Sequence, residues 1–319
     1  MPKTHFSRIS PRRGLFYLPP CSRRFSCIVL VVALLTVILL FIPATRNLLL
    51  SPIWPKTWRE MGTLQALTIK FSPELPEEPD IKHCYIKTEP GVSLSDIDKS
   101  KVMFHSDVYK AELRQAEHRL FFPPLKEDEK LTLLHTYLVV ATSLQKAGIA
   151  FMLVEGSLLG VHRHRGMVPW DDDIDIAISV LNRKSVGRLL GCIQGFDLVV
   201  SYVGHWKFFP NSTQHGHHFP FIDIFFYAED EDYLWAVTDY LKQTVVFPKK
   251  HTFPLNTASF EGLIVPVPKD TDYILRSVFD FETCQSSSYN HKEGMSIPEM
   301  STVPCSSLTY LYTMFNLKY

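Results

Sequence analysis

The 319 residues carry 33 basic and 33 acidic side chains, are 46% hydrophobic, and have a mean hydropathy of +0.01. A formal net charge of zero argues against a broad basic surface for nucleic acid and leaves small molecules or surface glycans as partners. The apolar fraction allows a substantial core, in a chain long enough for one domain of about 200 residues plus extras.

Residues 1–26 hold Lys3, Arg8, Arg12, Arg13, Arg23 and Arg24 and no acid. The charge-free run 27–42 follows, with Pro43 behind it, at the short edge of the about 17–25 residues that a spanning helix needs. This pattern predicts a cytosolic basic tail over 1–26 and a transmembrane signal anchor over 27–43, with the remainder lumenal. A cleaved signal peptide is the alternative, disfavoured by the long basic leader and the missing small-x-small site. A short span suits the thin membranes of the early secretory pathway, which predicts a single-pass type II protein of the endoplasmic reticulum or Golgi. Cys21 and Cys27 mark the cytosolic edge of the span, as palmitoylation candidates or plain thiols. Residues 44–107, with Pro52, Pro55, Pro73, Pro76 and Pro79, read as an extended stem.

The folded domain is expected over 108–319. Helical patterns cover 109–120 and 127–147; in the second, Leu131, Leu134, His135, Leu138 and Thr142 recur at helical spacing and Gly148 closes it. An apolar strand at 149–154 runs into Gly156-Ser157 and a helix start, where backbone N–H groups face an anion and glycine lets a phosphate approach the chain. Asp171, Asp172, Asp173 and Asp175 follow, interleaved with Ile174, Ile176 and Ile178. Strand periodicity puts Asp173 and Asp175 on one face, roughly 6.5–7 Å apart, a spacing that suits a pair of divalent ions. Acids this crowded need a cation, a raised pKa or full solvation, and the isoleucines argue against the last. A helix at 182–193, with Lys184 and Arg188 on its polar face, then strands at 196–203, 217–227 and 262–268 and a helix at 271–281 complete a mixed α/β sheet flanked by helices.

Asp223 is the single acid in the apolar run 219–227, where Pro220 points to an edge or the start of a strand. On residue pattern alone, a surface aspartate on a half-buried strand is the alternative reading. Arg163 and Arg165 lie between the Gly-Ser turn and the acids, on a loop that can bring a guanidinium to substrate phosphates, and Lys207 can reach the same place from its own strand. Asn211-Ser212-Thr213 is a glycosylation sequon. Cys84, Cys192, Cys284 and Cys305 permit three pairings, of which Cys284 with Cys305 is the nearest in sequence. His215, His217 and His218 lack a cysteine at ligand-like spacing, which argues against zinc.

The combination GSLLG, an arginine, then PWDDDID resembles the signature of the LicD family, which takes in bacterial phosphocholine transferases and the animal fukutin group. The resemblance implies an α/β (α+β) nucleotidyltransferase-like fold, with Asp173, Asp175 and Asp223 as ligands for Mg²⁺ or Mn²⁺. It also implies Gly156, Ser157 and Arg163 on donor phosphates, Asp172 or Asp175 as proton acceptor, a CDP-linked donor and a glycan or glycoprotein acceptor. The chain departs from the family where a Tyr-Gly pair is expected and Val278-Phe279-Asp280 stands. Two other classes share features: a glycosyltransferase using an Asp-x-Asp motif with a nucleotide sugar, disfavoured by the upstream Gly-Ser turn, and a non-catalytic accessory protein, disfavoured by the presence of every matched acid.

Overall fold

Two apolar strands lie side by side in parallel at the heart of the sheet, which is why both read as nearly continuous hydrophobic runs. The computed structural model describes residues 87–200, 205–212, 216–238, 241 and 245–317. The basic tail, the expected span, most of the stem, Cys21, Cys27 and Cys84 lie outside them. Among the described residues no helix is long and apolar enough to cross a membrane.

Strands β1 (Phe151–Leu153), β2 (Ile174–Ser179), β3 (Phe196–Val200), β4 (His205–Pro210), β5 (Ile222–Glu229), β6 (Tyr233–Ala236) and β7 (Val246–Pro248) form one mixed sheet. Its order is β1-β2-β5-β4-β3, with β6 beside the C-terminal end of β5 and β7 beyond it. Strands β2 and β5 pair parallel, and the remaining pairs are antiparallel. Helix α1 (Glu127–Lys146) packs on β4 and β5 and against α3 (Arg183–Leu190), while α2 (Glu155–His164) packs on β2 and against α4 (Thr271–Val278).

Several elements differ from the sequence expectation. The stretch 109–120 is not an α-helix but parts of two 3₁₀ segments, Ser106–Lys110 and Ala116–Phe121. In the second the buried residues are His118 and Phe121, three apart, the period of that helix. On α1 the residues Leu133, Tyr137, Val140 and Leu144 form a fully buried stripe; of the expected positions Leu134 is fully buried with them, whereas Leu131, His135, Leu138 and Thr142 are half-buried. Apolar residues on both stripes left the inward face underdetermined. On α3, Lys184 and Arg188 are exposed, but Arg183 is buried with its guanidinium over the rings of Trp206 and Phe226, 5.2 and 5.5 Å away. Strand β5 is central rather than an edge: Pro220 precedes it and removes no ladder donor.

Beyond the hairpin of β8 (Asn256–Phe260) and β9 (Leu263–Val267), a nested double hairpin closes the domain. In it β10 (Thr283–Gln285) pairs with β13 (Thr302–Pro304), and β11 (Tyr289–Asn290) with β12 (Met295–Ser296). A Cys284–Cys305 disulfide ties its base, and Cys192 is also disulfide-bonded. This strap is fastened to the segment before β2: Trp170 Nε1 donates to the Gln285 carbonyl at 2.9 Å and Ser287 Oγ to the Trp170 carbonyl at 2.6 Å.

Candidate active site

The turn from β1 into α2 sets the position of the acids. Ser157 is buried and its Oγ accepts from the backbone N–H of Asp175 at 2.8 Å, so this hydroxyl holds the acid strand. A Cβ on Gly156 would stand 2.5 Å from Asp171 Oδ2, so a side chain there would force the Asp171 carboxylate to move. The N–H groups of Glu155, Gly156 and Ser157 open α2 and have no preceding helical carbonyl to donate to.

Asp173 lies just ahead of β2 and Asp175 lies within it. Parallel pairing sets Asp175 directly beside Asp223 on β5. The three are 7%, 7% and 6% exposed, and one carboxylate oxygen from each lies within 4.8 Å of the others. Burial first, and then the neighbouring carboxylates, push Asp173 and Asp175 well above the usual carboxylate range. Burial and the charge of Asp172 bring Asp171 up to about 6. Lys207 Nζ meets both oxygens of Asp223 at 2.8 and 3.0 Å and sits 3.3 Å over the Phe221 ring. Lys207 and the His291 ring beside Asp173 are fewer than the acids gathered here, and an all-oxygen donor set such as Asp173, Asp175 and Asp223 could hold a hard divalent cation.

The acids face a cavity of about 920 Å³ whose wall also includes Gly156, Lys207, His205, Tyr289 and His291. A second cavity of about 420 Å³ shares Gly156, Asp171, Tyr289 and His291 and is lined further by Arg163 and by Val278, Phe279 and Asp280, where the family's Tyr-Gly pair was expected. Arg163 is buried, lies 5.5 Å over Trp170, and donates to His164 Nε2 at 3.2 Å and to Cys305 Sγ at 3.4 Å; burial lowers it to about 10. Arg165 points elsewhere, exposed and 4.0 Å over the Phe315 ring, outside the lining of either cavity. Asn211 is exposed at the end of β4. His217 and His218 line the larger cavity but join no metal-binding group among the described residues.

His291 had no sequence signal. It arrives on the strap, in a polar stretch without hydrophobic period or motif. Its Nδ1 lies 2.6 Å from Asp172 Oδ1, its N–H donates to Asp172 Oδ2 at 3.2 Å, and its Nε2 is 3.5 Å from Asp173 Oδ2. Burial alone would lower its pKa, but the hydrogen bond to Asp172 and the charges of Asp173 and Asp172 outweigh that and bring it to about 9.

Residues 148–270 match the family model described as "LicD/FKTN/FKRP, nucleotidyltransferase domain". The ribitol-5-phosphate transferase FKTN of Mus musculus is 26% identical over 201 residues, which cover 59% of this chain and 41% of that protein. Its counterpart in Macaca fascicularis is 28% identical over 174 residues, 51% of this chain and 37% of the relative. That of Homo sapiens is 27% identical over 174 residues, again 51% and 37%. The chain thus spans less than half the length of the curated relatives it matches. The matched domain contains every aspartate of the site and ends before His291. Residues 148–270 therefore form a LicD/FKTN/FKRP nucleotidyltransferase domain, distantly homologous to the ribitol-5-phosphate transferase FKTN.

Proposed function

We propose that the chain is a Mg²⁺- or Mn²⁺-dependent phosphotransferase that moves a phospho-alditol or phosphocholine-type group from a CDP-linked donor to a glycan or glycoprotein acceptor. The observation that carries this reading is the buried group Asp173, Asp175 and Asp223 on paired parallel strands, open to a cavity large enough for a nucleotide. The distant FKTN relatives, named as ribitol-5-phosphate transferases, support the class of group transferred. Divalent cations held by the three aspartates would neutralise the donor diphosphate and polarise the phosphorus under attack.

The chain's own groups have separable tasks. The open N–H groups at the start of α2 face donor phosphate oxygens, and Gly156 keeps that approach clear. Lys207 supplies a mobile positive charge at the cavity wall. Arg163 serves the adjoining cavity, where it offsets negative charge on the leaving nucleotide or on an acidic acceptor. Both oxygens of Asp172 are taken by His291, which leaves Asp175 as the acid that accepts the nucleophile's proton. The Cys284–Cys305 disulfide suits an oxidising compartment. It accords with a lumenal domain behind an anchor at 27–43 and a stem at 44–107, in the Golgi or endoplasmic reticulum, glycosylated at Asn211.

The test is release of CMP from a panel of CDP-linked donors with Mg²⁺ or Mn²⁺, against an Asp175→Ala control. Metal-dependent release that disappears in the control is the expected result. Release of a nucleoside diphosphate from a nucleotide sugar would move the chain to the glycosyltransferase class. A folded protein that binds neither metal nor CDP would leave an accessory role.

A further inference from the structure

Asp172 lies in the middle of the acid loop, yet both its oxygens serve one partner. The His291 ring approaches Oδ1 at 2.6 Å and the His291 backbone N–H donates to Oδ2 at 3.2 Å. A carboxylate accepts hydrogen bonds, so Nδ1 carries a ring proton and the orientation of the imidazole is fixed. Phe221 meets the ring edge-on at 5.3 Å between centroids, and Tyr289 closes another side at 5.1 Å. Held this way, Nε2 is aimed at Asp173, 3.5 Å from Oδ2.

A carboxylate that grips Nδ1 while Nε2 faces another ligand is the usual device for presenting histidine to a metal ion. Donor atoms each about 2.0–2.2 Å from one tetrahedral ion stand about 3.5 Å apart, the separation found here. Asp173 also belongs to the group with Asp175 and Asp223, and a shared carboxylate is what links the ions of a two-metal centre.

We propose that His291 is a metal ligand: Nε2 and Asp173 hold a second divalent ion, joined through Asp173 to the ion of the Asp173, Asp175 and Asp223 group, with Asp172 as the positioning residue. This rests on the metal-dependent reading above and adds to it a nitrogen donor from outside the matched domain. An imidazole in the set shifts the preference of that position from Mg²⁺ toward first-row transition ions. The strap then completes the metal centre as well as covering it.

The experiment is titration of the full chain with Mn²⁺, following stoichiometry by calorimetry and directly bound nitrogen by pulsed electron paramagnetic resonance. Two ions and a ¹⁴N modulation are expected. In His291→Gln, checked for folding by circular dichroism, the modulation and one of the two ions are lost. In Asp172→Asn the nitrogen-ligated ion binds about 10–100-fold more weakly. Bound Mn²⁺ without ¹⁴N modulation in the wild type overturns the proposal without touching the proposed function. So does modulation that survives in His291→Gln. Failure to bind Mn²⁺ at all overturns both.

Discussion

Two groups of buried charge meet the segment between β1 and β2, and they are built in opposite ways. Lys130 and Glu261, with side chains 9% and 0% exposed, pair at 2.8 Å. Lys130 also donates to the Met103 carbonyl at 2.7 Å, and Glu261 accepts from the N–H groups of Met103 and Met167 at 2.7 and 2.9 Å. Gly166 makes room for it, because a Cβ there would stand 2.4 Å from Glu261 Oε1. Every charge in this group is answered, so it is a latch. At Asp173, Asp175 and Asp223 the charges are of one sign, and the strand register that brings two of them side by side is fixed by the isoleucines around them. Hydrophobic packing holds together what electrostatics would separate, an arrangement that could hold a metal ion.

The contrast predicts substitutions of opposite sign. Asp175→Asn removes repulsion, so it should raise the melting temperature of the metal-free protein while lowering donor turnover on the order of 10²–10³-fold. Glu261→Gln leaves Lys130 buried without its counter-charge and should lower stability by about 3–5 kcal/mol in denaturant unfolding, with turnover by the protein that remains folded little changed. Destabilisation by both substitutions would remove the distinction between latch and site.

Much of the acid group was readable because local rules fix it. Period-two alternation around Asp175 and the isolated acid in the β5 run both survive folding, since each strand is buried and its register is set by apolar neighbours. Ser157 and Gly156 were readable as a turn, but not their internal contacts: the Ser157 hydroxyl accepts from the Asp175 N–H, and Gly156 packs against the Asp171 carboxylate. Arg163 and Arg165, two residues apart, were separated in the sequence only by the family resemblance, which singled out Arg163. Arg165 takes the left-handed position that ends α2, with φ of 58°, and its side chain lies over Phe315, whereas Arg163 turns inward. His291 and the strap were not readable at all. Their placement depends on a disulfide and on contacts across more than a hundred residues, and neither leaves a local periodicity.

Metal and pH should act together on the acid group. A carboxyl whose pKa is raised by folding adds stability below its unfolded value, near 3.8, and loses it as pH rises, through about 6 for Asp171 and higher for Asp173 and Asp175. A divalent cation cancels that loss, and at 100 times its Kd one bound ion is worth about 2.7 kcal/mol. The gain in melting temperature on adding Mg²⁺ or Mn²⁺ should therefore be larger at pH 8 than at pH 5. His105 acts in the reverse direction: burial lowers it to about 4, so its contribution is complete above 6.5 and is lost as pH falls through about 4. Equal metal-induced gains at both pH values would contradict an unbalanced acid group.

The smallest effect is expected at Lys207, one of the two cationic groups that answer the acids, the other being His291. Lys207 grips both oxygens of Asp223, so an arriving cation must share that carboxylate with the ammonium or displace it. Its side chain is a quarter exposed, so the pair is weak enough to open, on the order of 1 kcal/mol. Lys207→Met should accordingly tighten divalent binding by roughly 5-fold, the equivalent of that energy. It should also raise KM for a diphosphate donor, because the displaced ammonium is then missing from the cavity wall. Calorimetry with Mn²⁺ and steady-state kinetics separate the two readouts. Tighter metal binding with unchanged KM would make Lys207 only a counter-ion, whereas weaker metal binding would mean that it organises Asp223 for the ion and that the latch-like half of the contrast extends into the site.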